Sequence, residues 1–423
     1  MKILWIVNMV FPEALSLLHN NKNECLSSGG WLVASASALV HNHNVSMYIV
    51  AMTQEVKEYT TLPGNGITYI LIPPVESQNK SKEGLGIWQR INNEVMPDVV
   101  HIHGTENTLG LSYINECGNE IAVLSVQGIM GLIGSYYDYG LAFSDVLKNL
   151  TLYDVIRRQS IWDLKKDFII RGKKEEEVYR KIKYVIGRTE TDKAHVRLFN
   201  PEARYFHCDE ILRAAFYDGE WSYDHCIKHT IFMSQASYPV KGLHQVLKVI
   251  PELMKIYPDL NIRIAGRDFT HIKGFRERLK YGGYAKLIGK VIKKYNLSNV
   301  VTFTGPLNAE EMKQEYLRAN VFLSASTIEN SPNSLAEAQL LGVPCLASYV
   351  GGVPDMIPNK ACGEMYRFED TESLIYKIMQ LFDHSTEFDN NEMRRVAKER
   401  HSIERHVRDT LKVYEQIMSD YQK

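Results

Sequence analysis

The chain has 423 residues, more than one hydrophobic core sustains, so two domains are expected. Hydrophobic residues make up 45% and charged residues 23%, and 49 basic against 50 acidic side chains leave a net charge of −1. That balance fits a soluble globular protein and excludes a chain-wide basic field for nucleic acid, while allowing a local anion-binding patch.

The first segment, KILWIVNMV, is too short to span a membrane and lacks a small-residue cleavage site. It reads as a strand, not a signal peptide. No apolar run of eighteen residues occurs, so membrane contact is expected to be peripheral at most. The long polar loop FPEALSLLHNNKNECLSSGG then ends on Gly29 and Gly30 before a helix. Paired glycines let backbone approach a ligand, and a helix N-terminus offers free N–H groups. No G-x-G-x-x-G is present, which disfavours a dinucleotide dehydrogenase.

VSMYIVAM, ITYILIPP, DVVHIH, IAVLSVQG and YVIGRT continue the strand series. His101 and His103 share one strand face, with His103 at the carboxyl end. His103 is expected to hydrogen-bond at the site; a structural role is the alternative, and a metal pair lacks a third ligand. Residues 130 to 183 interrupt the series with charged helical sequence. Its alternating signs suggest surface helices packed on the first sheet, the alternative being an acceptor or membrane-surface face.

The boundary is expected between Cys208 and His229, giving domains 1–215 and 216–400 with a terminal helix over 401–423. The second half repeats the rhythm with HTIFMSQAS, NIRIAGRD, NVVTFTGP, NVFLSAS and PCLASYVGG. Such continuous apolar strands separated by helices imply parallel sheets covered on both faces. The expected fold is therefore α/β, two Rossmann-like domains facing each other across an interdomain cleft. Ile403, Val407, Leu411, Tyr414 and Met418 mark the tail as an amphipathic helix. Six scattered cysteines (Cys25, Cys117, Cys208, Cys226, Cys345, Cys362), without zinc spacing, suggest reduced thiols in a cytosolic protein.

Ligands of open parallel sheets bind beyond the carboxyl ends of the strands. At those places lie Lys241-Gly242 opening a helix, Gly266-Arg267, Gly305-Pro306-Leu307, and Asn308 with Glu311 as a capping box. After the fourth strand of the second half comes ENSPNSLAEAQLLGVP, whose Glu329 and Glu337 straddle a loop and a helix start.

GG after the first strand, KG after the first strand of the second half, and Glu-x7-Glu followed by LGVP and GGVPDMI together resemble glycosyltransferase family 4, retaining enzymes of the GT-B architecture. The resemblance implies that Glu329 meets donor-sugar hydroxyls, and that Glu337 accepts from the ribose. The loop of Asn330, Ser331, Asn333, Ser334 and Leu335 would hold the sugar or diphosphate. Lys241 would neutralise the leaving diphosphate, helped by amides near Gly29 and Gly30. His103 would lie near the donor sugar, while Gly266, Arg267, Pro306 and Leu307 would frame the base. Glu329, His103 and Lys241 are thus the expected catalytic residues, with no cofactor and no metal, the nucleotide diphosphate sugar being a co-substrate. The tail helix would pack back on the first domain.

Two departures stand out. Similar proteins place an arginine five positions before the KG lysine; here that position is Ala236, so either donor binding is weaker or another cation stands in, Arg188 at its strand end being favoured over Arg267. Pro332, inside the ligand loop, has no N–H to donate. Tyr136, Tyr137 and Tyr139 are placed either to stack on sugar rings or to pack in a core. The implied function is retaining transfer of a hexose to a glycan or lipid-linked acceptor, as in bacterial surface polysaccharide synthesis at the inner face of a membrane. A nucleotide-sugar 2-epimerase and a non-catalytic nucleotide-sugar or glycan-binding protein are the alternatives.

Overall fold

The computed structural model describes all residues except 21–29, 43–44, 75–85, 272–273, 275–280, 384–388 and 423. The chain forms two compact units, Met1–Met130 with Arg171–Leu212 and His401–Lys423, and Gly131–Ile170 with Arg213–Arg400.

The first unit holds β1 (Lys2–Ile6), β2 (Ser46–Met52), β3 (Thr60–Pro63), β4 (Ile67–Ile72), β5 (Val99–His103), β6 (Ala122–Ser125), β7 (Tyr184–Gly187) and β8 (Arg204–His207). They form one sheet in the order β3-β4-β2-β1-β5-β6-β7-β8, parallel except for β3 against β4. β5, β6 and β7 are buried at every residue because helices cover both faces. The helix Ile403–Tyr421 belongs to this unit, and the Ser402 hydroxyl caps it by accepting from the Arg405 N–H at 3.2 Å. Its buried face is Val407, Thr410, Val413, Tyr414 and Ile417. Of the predicted stripe, Val407 and Tyr414 are inside, whereas Ile403 is exposed.

The second unit holds β9 (Thr230–Met233), β10 (Asn261–Ile264), β11 (Val301–Phe303), β12 (Val321–Ser324), β13 (Cys345–Ser348) and β14 (Glu364–Tyr366). Their order is β11-β10-β9-β12-β13-β14, all parallel. Of the segment 130–183 expected on the first sheet, residues 131–170 join this unit instead, whereas Arg171 onward, the second half of the helix Ile161–Lys181, stays with the first. Tyr137, Val146 and Ile161 enter the apolar core of the second unit. Asp154 accepts from the Gly283 N–H at 3.1 Å, and the Lys286 ammonium donates to the Leu150 carbonyl at 3.2 Å. The alternating charges that suggested a surface face did not reveal which sheet the apolar side would choose. No helix among the described residues is long and apolar enough to cross a membrane.

Candidate functional site

In the second unit, β12 ends at Ser324 and the chain loops through Glu329 and Pro332 into the helix Asn333–Leu341. One oxygen of Glu329 accepts from the Lys241 ammonium at 2.5 Å and from the Ser326 hydroxyl at 2.7 Å. Burial works to lower the Lys241 pKa, but Glu329 and Tyr238 outweigh it and raise it above the usual lysine value. The lysine therefore stays charged, and both side chains keep a solvent-facing edge, 20% and 15% exposed.

Two glycines set this geometry. Lys241 closes the turn Pro239–Lys241, and Gly242 follows with φ +71°, where a Cβ would fall 1.7 Å from the Ala325 carbonyl. Gly351, φ +50°, would place a Cβ 1.9 Å from the Glu329 carbonyl, which accepts from the Gly352 N–H at 3.1 Å. The KG and GG sequences thus hold the Glu329 loop from two sides.

Pro332 is the N-cap of the helix, with φ −71° suited to proline. Asn333 and Ser334, half-buried, carry N–H groups that the helix itself does not use. Asn330 and Leu335 are buried, and the half-buried Ser331 points its hydroxyl at the Met356 sulfur, 3.7 Å away. One turn into the helix, the buried Glu337 takes two contacts of 2.8 Å from the Arg213 guanidinium. Burial pushes the Glu337 carboxyl up, and Arg213 pulls it back. Arg213 lies over the Phe216 ring at 4.6 Å. Nothing in the non-periodic stretch DEILRAAF singles Arg213 out, so sequence reasoning missed it. Each carboxylate of the Glu-x7-Glu motif therefore faces its own cation.

At the ends of β10 and β11, Gly266 and Gly305 exchange two backbone hydrogen bonds of 3.0 Å. Both have positive φ, and a Cβ at either would meet nothing within 4 Å. This leaves bare backbone beside open space. Arg267 is exposed and makes no ion pair among the described residues; Pro306 is exposed and Leu307 half-buried. Asn308 and Glu311 form the predicted capping box, at 2.9 and 2.8 Å. Ala236 is buried in the apolar core.

Gly30, His103 and Arg188 lie in the first unit. Gly30 begins the helix Gly30–Asn42, and Gly29 is outside the described residues. His103 is buried, stacks on His101 at 3.8 Å and meets the tilted Trp5 ring at 4.2 Å. Its two ring nitrogens have no partner among the described residues, and the cavity it lines, about 20 Å³, has room for one water but not for a sugar ring. Burial, reinforced by His101 and His406, holds its pKa well below the usual histidine value. Arg188 is buried against Glu210 in an ion pair and donates to the Val126 carbonyl at 2.7 Å. Its charge is already neutralised, so of the two expected substitute cations Arg267 is the one presented to solvent.

Residues 227–401 match the family model for glycosyl transferases group 1. The chain is 27% identical to the catalogued human phosphatidylinositol N-acetylglucosaminyltransferase chain over 119 residues, 28% of this chain and 22% of the human one. It is 29% identical over 131 residues to an uncharacterised 41.2 kDa protein from the cps region of Klebsiella pneumoniae, 31% of this chain and 35% of that one. It thus spans less than half the length of these curated relatives. Among solved structures it resembles a sucrose-phosphate synthase from Thermosynechococcus elongatus with TM-score 0.71 at 14% identity, over 99% of both chains. It resembles Anabaena HepE in complex with UDP with TM-score 0.64 at 13% identity, over 99% of this chain and 100% of that one. These near full-length likenesses show the fold, an α/β GT-B architecture of two Rossmann-like units.

Proposed function

We propose that the protein is a retaining hexosyltransferase that moves a sugar from a nucleotide diphosphate donor to a glycan or lipid-linked acceptor. The observation that carries this reading is the charged Lys241 on Glu329, beside the N-terminus of Asn333–Leu341. Lysine and free amides together stabilise the charge that develops on a leaving diphosphate. The bond between the sugar's anomeric carbon and the phosphate oxygen breaks, and one to the acceptor oxygen forms on the same face. The acceptor proton passes to the leaving phosphate oxygen, so neither a paired acid and base nor a metal is part of the route.

Glu329 positions the donor sugar through its remaining lone pairs. Glu337 keeps lone pairs for the ribose hydroxyls even with Arg213 in place. The bare backbone at Gly266 and Gly305 suits a flat base, with Arg267 at its edge.

The curated relative named for phosphatidylinositol supports a lipid-linked acceptor. Peripheral contact with the inner face of a membrane has its own support. Phe143, Leu147, Leu152, Val155 and Ile156 are between 51% and 80% exposed, beside exposed Lys148, Arg157 and Arg158. Flotation with anionic vesicles, which Leu152→Glu should weaken, checks that contact.

The deciding experiment is a thermal shift with UDP-, GDP- and ADP-sugars, since ligand binding raises apparent stability by mass action. No shift with any of them overturns the transferase reading. An epimerised sugar formed from donor alone would replace it with the epimerase.

A further inference from the structure

The second unit contains a cavity of about 580 Å³ that the donor reading leaves unused. Its size falls within the roughly 300–1,000 Å³ of small-ligand sites. Tyr136, Tyr139, Tyr349 and Phe368 line it, with Thr327 on one wall and Arg367 at its rim. Tyr136, Tyr139 and Tyr349 are 40%, 42% and 60% exposed, whereas Tyr137 between the first two is buried against Phe168. The run SYYDYG therefore turns one ring into the core and two outward.

The outward rings stand on a backbone that is fixed from beneath. The Thr327 hydroxyl donates to the Tyr136 carbonyl at 2.9 Å, and His244 Nε2 meets the Tyr139 carbonyl at 2.9 Å. Gly140, φ +79°, lies so close to Phe368 and His244 that a Cβ would come within 2.9 and 3.1 Å of them. Tyr136 meets Tyr139 edge-on at 5.9 Å, and Tyr139 meets Phe368 at 5.5 Å. Tyr349 projects from the end of β13 and makes no ring contact among the described residues. A rigid backbone that presents rings without burying them leaves apolar area for a ligand to cover.

The rim is polar. The Arg367 guanidinium, 77% exposed, is paired with Glu369 at 2.8 Å, which sets donors and an acceptor beside the aromatic faces. A sugar ring matches this combination, with a C–H face for the rings and an edge of hydroxyls for the charged pair. The cavity also adjoins the proposed reaction centre, because its wall residues Thr327 and Ile328 lead directly into Glu329 and Gly351 touches the Glu329 carbonyl.

We propose that this aromatic cavity is a saccharide subsite, holding a sugar ring of the acceptor beside the donor sugar on Glu329. The proposal rests on the transferase reading for the identity of its ligand as acceptor, but the subsite itself is testable without a donor.

The probes are methyl glycosides and disaccharides of glucose, galactose, mannose, N-acetylglucosamine and glucuronic acid. Binding to the full chain is followed by saturation-transfer NMR and calorimetry, with UDP titrated separately. The wild type should bind at least one of these saccharides. Tyr136→Ala with Tyr349→Ala should weaken that binding about tenfold or more, as loss of two stacking faces predicts. The same variant should keep the wild-type affinity for UDP, and Lys241→Ala should keep the saccharide while losing UDP. Tyr349→Ala alone, which removes an exposed ring, guards against a misfolded double variant and should weaken binding in the same direction. Saccharide binding absent from the wild type, undiminished in both tyrosine variants, or displaced by UDP alone would overturn the subsite. Absence of UDP binding alongside intact saccharide binding would instead overturn the transferase reading and leave the subsite standing.

Discussion

Arg213 and Glu337 meet through two parallel contacts of 2.8 Å although 124 residues separate them. Glu337 is 6% exposed and Arg213 20%, so breaking the pair leaves a buried, unpaired carboxylate. Arg213→Ala should cost about 3 kcal/mol in urea unfolding. Glu337→Gln added to it should recover part of that loss, because the stranded charge is removed. An Arg213→Ala variant as stable as wild type would show that the pair is not closed in solution.

The Lys241–Glu329 pair faces solvent more and serves the ligand. Charge-assisted contacts of this kind are worth about 1.5–3 kcal/mol. Lys241→Ala and Glu329→Ala should each lower transferase activity at least about tenfold with little change in Tm. Near wild-type turnover in both variants would refute the placement of the reaction at this pair.

Two glycines with positive φ should behave differently on substitution. Gly242→Ala drives a Cβ to 1.7 Å from the Ala325 carbonyl, so the turn carrying Lys241 must move. Gly266→Ala meets open space and adds only backbone strain, about 1–3 kcal/mol. Gly242→Ala is expected to lose more stability than Gly266→Ala, and Gly266→Ala to lose nucleotide affinity if the base rests on that backbone. Equal losses of stability, read from urea midpoints, would contradict the difference in packing.

The two arginines weighed against Ala236 are also separable. Arg188→Ala strands the buried Glu210 and should lower Tm markedly. Arg267→Ala should leave Tm unchanged and weaken nucleotide-sugar binding several-fold. Loss of affinity in Arg188→Ala without loss of Tm would reverse the two roles.

Three buried histidines, His101, His103 and His244, and the half-buried His406 predict sensitivity to acid. Burial, with His406 adding, pushes His101 down to about 3, and burial pushes His244 down to about 4. His103 and His406 are lowered in the same direction, again chiefly by burial. In the unfolded chain these groups titrate near about 6.5. Below that pH the unfolded state binds more protons, so stability is lost as pH falls, by about 1.4 kcal/mol per pH unit for each histidine still neutral when folded. Tm should therefore fall steeply from about pH 6.5 to 5, and His244→Gln should flatten the decline. A Tm constant over that interval would mean that these rings are not buried in solution.

The sequence by itself determined the two parallel sheets and most of their strands. β1, β5, β6, β9, β12 and β13 are covered on both faces, so burial demands runs of apolar residues that are visible in one dimension. It did not reveal β3, β8 and β14, which end the sheets or lie beside a single neighbour and whose residues, TTLP, RYFH and EMY, are partly exposed. The Glu-x7-Glu segment was legible because loop, proline and helix start lie within nine residues. Which cation meets each carboxylate was not legible. Lys241 reaches Glu329 across 88 residues and Arg213 reaches Glu337 across 124, and no local pattern records such pairings. The same holds for Arg188, neutralised by Glu210, and for His103, enclosed by Trp5 and His101. Only the tertiary structure decided that Tyr137 turns inward while Tyr136 and Tyr139 face a cavity. Local periodicity shows that a residue can be buried, but partner and direction depend on surfaces brought together from distant parts of the chain.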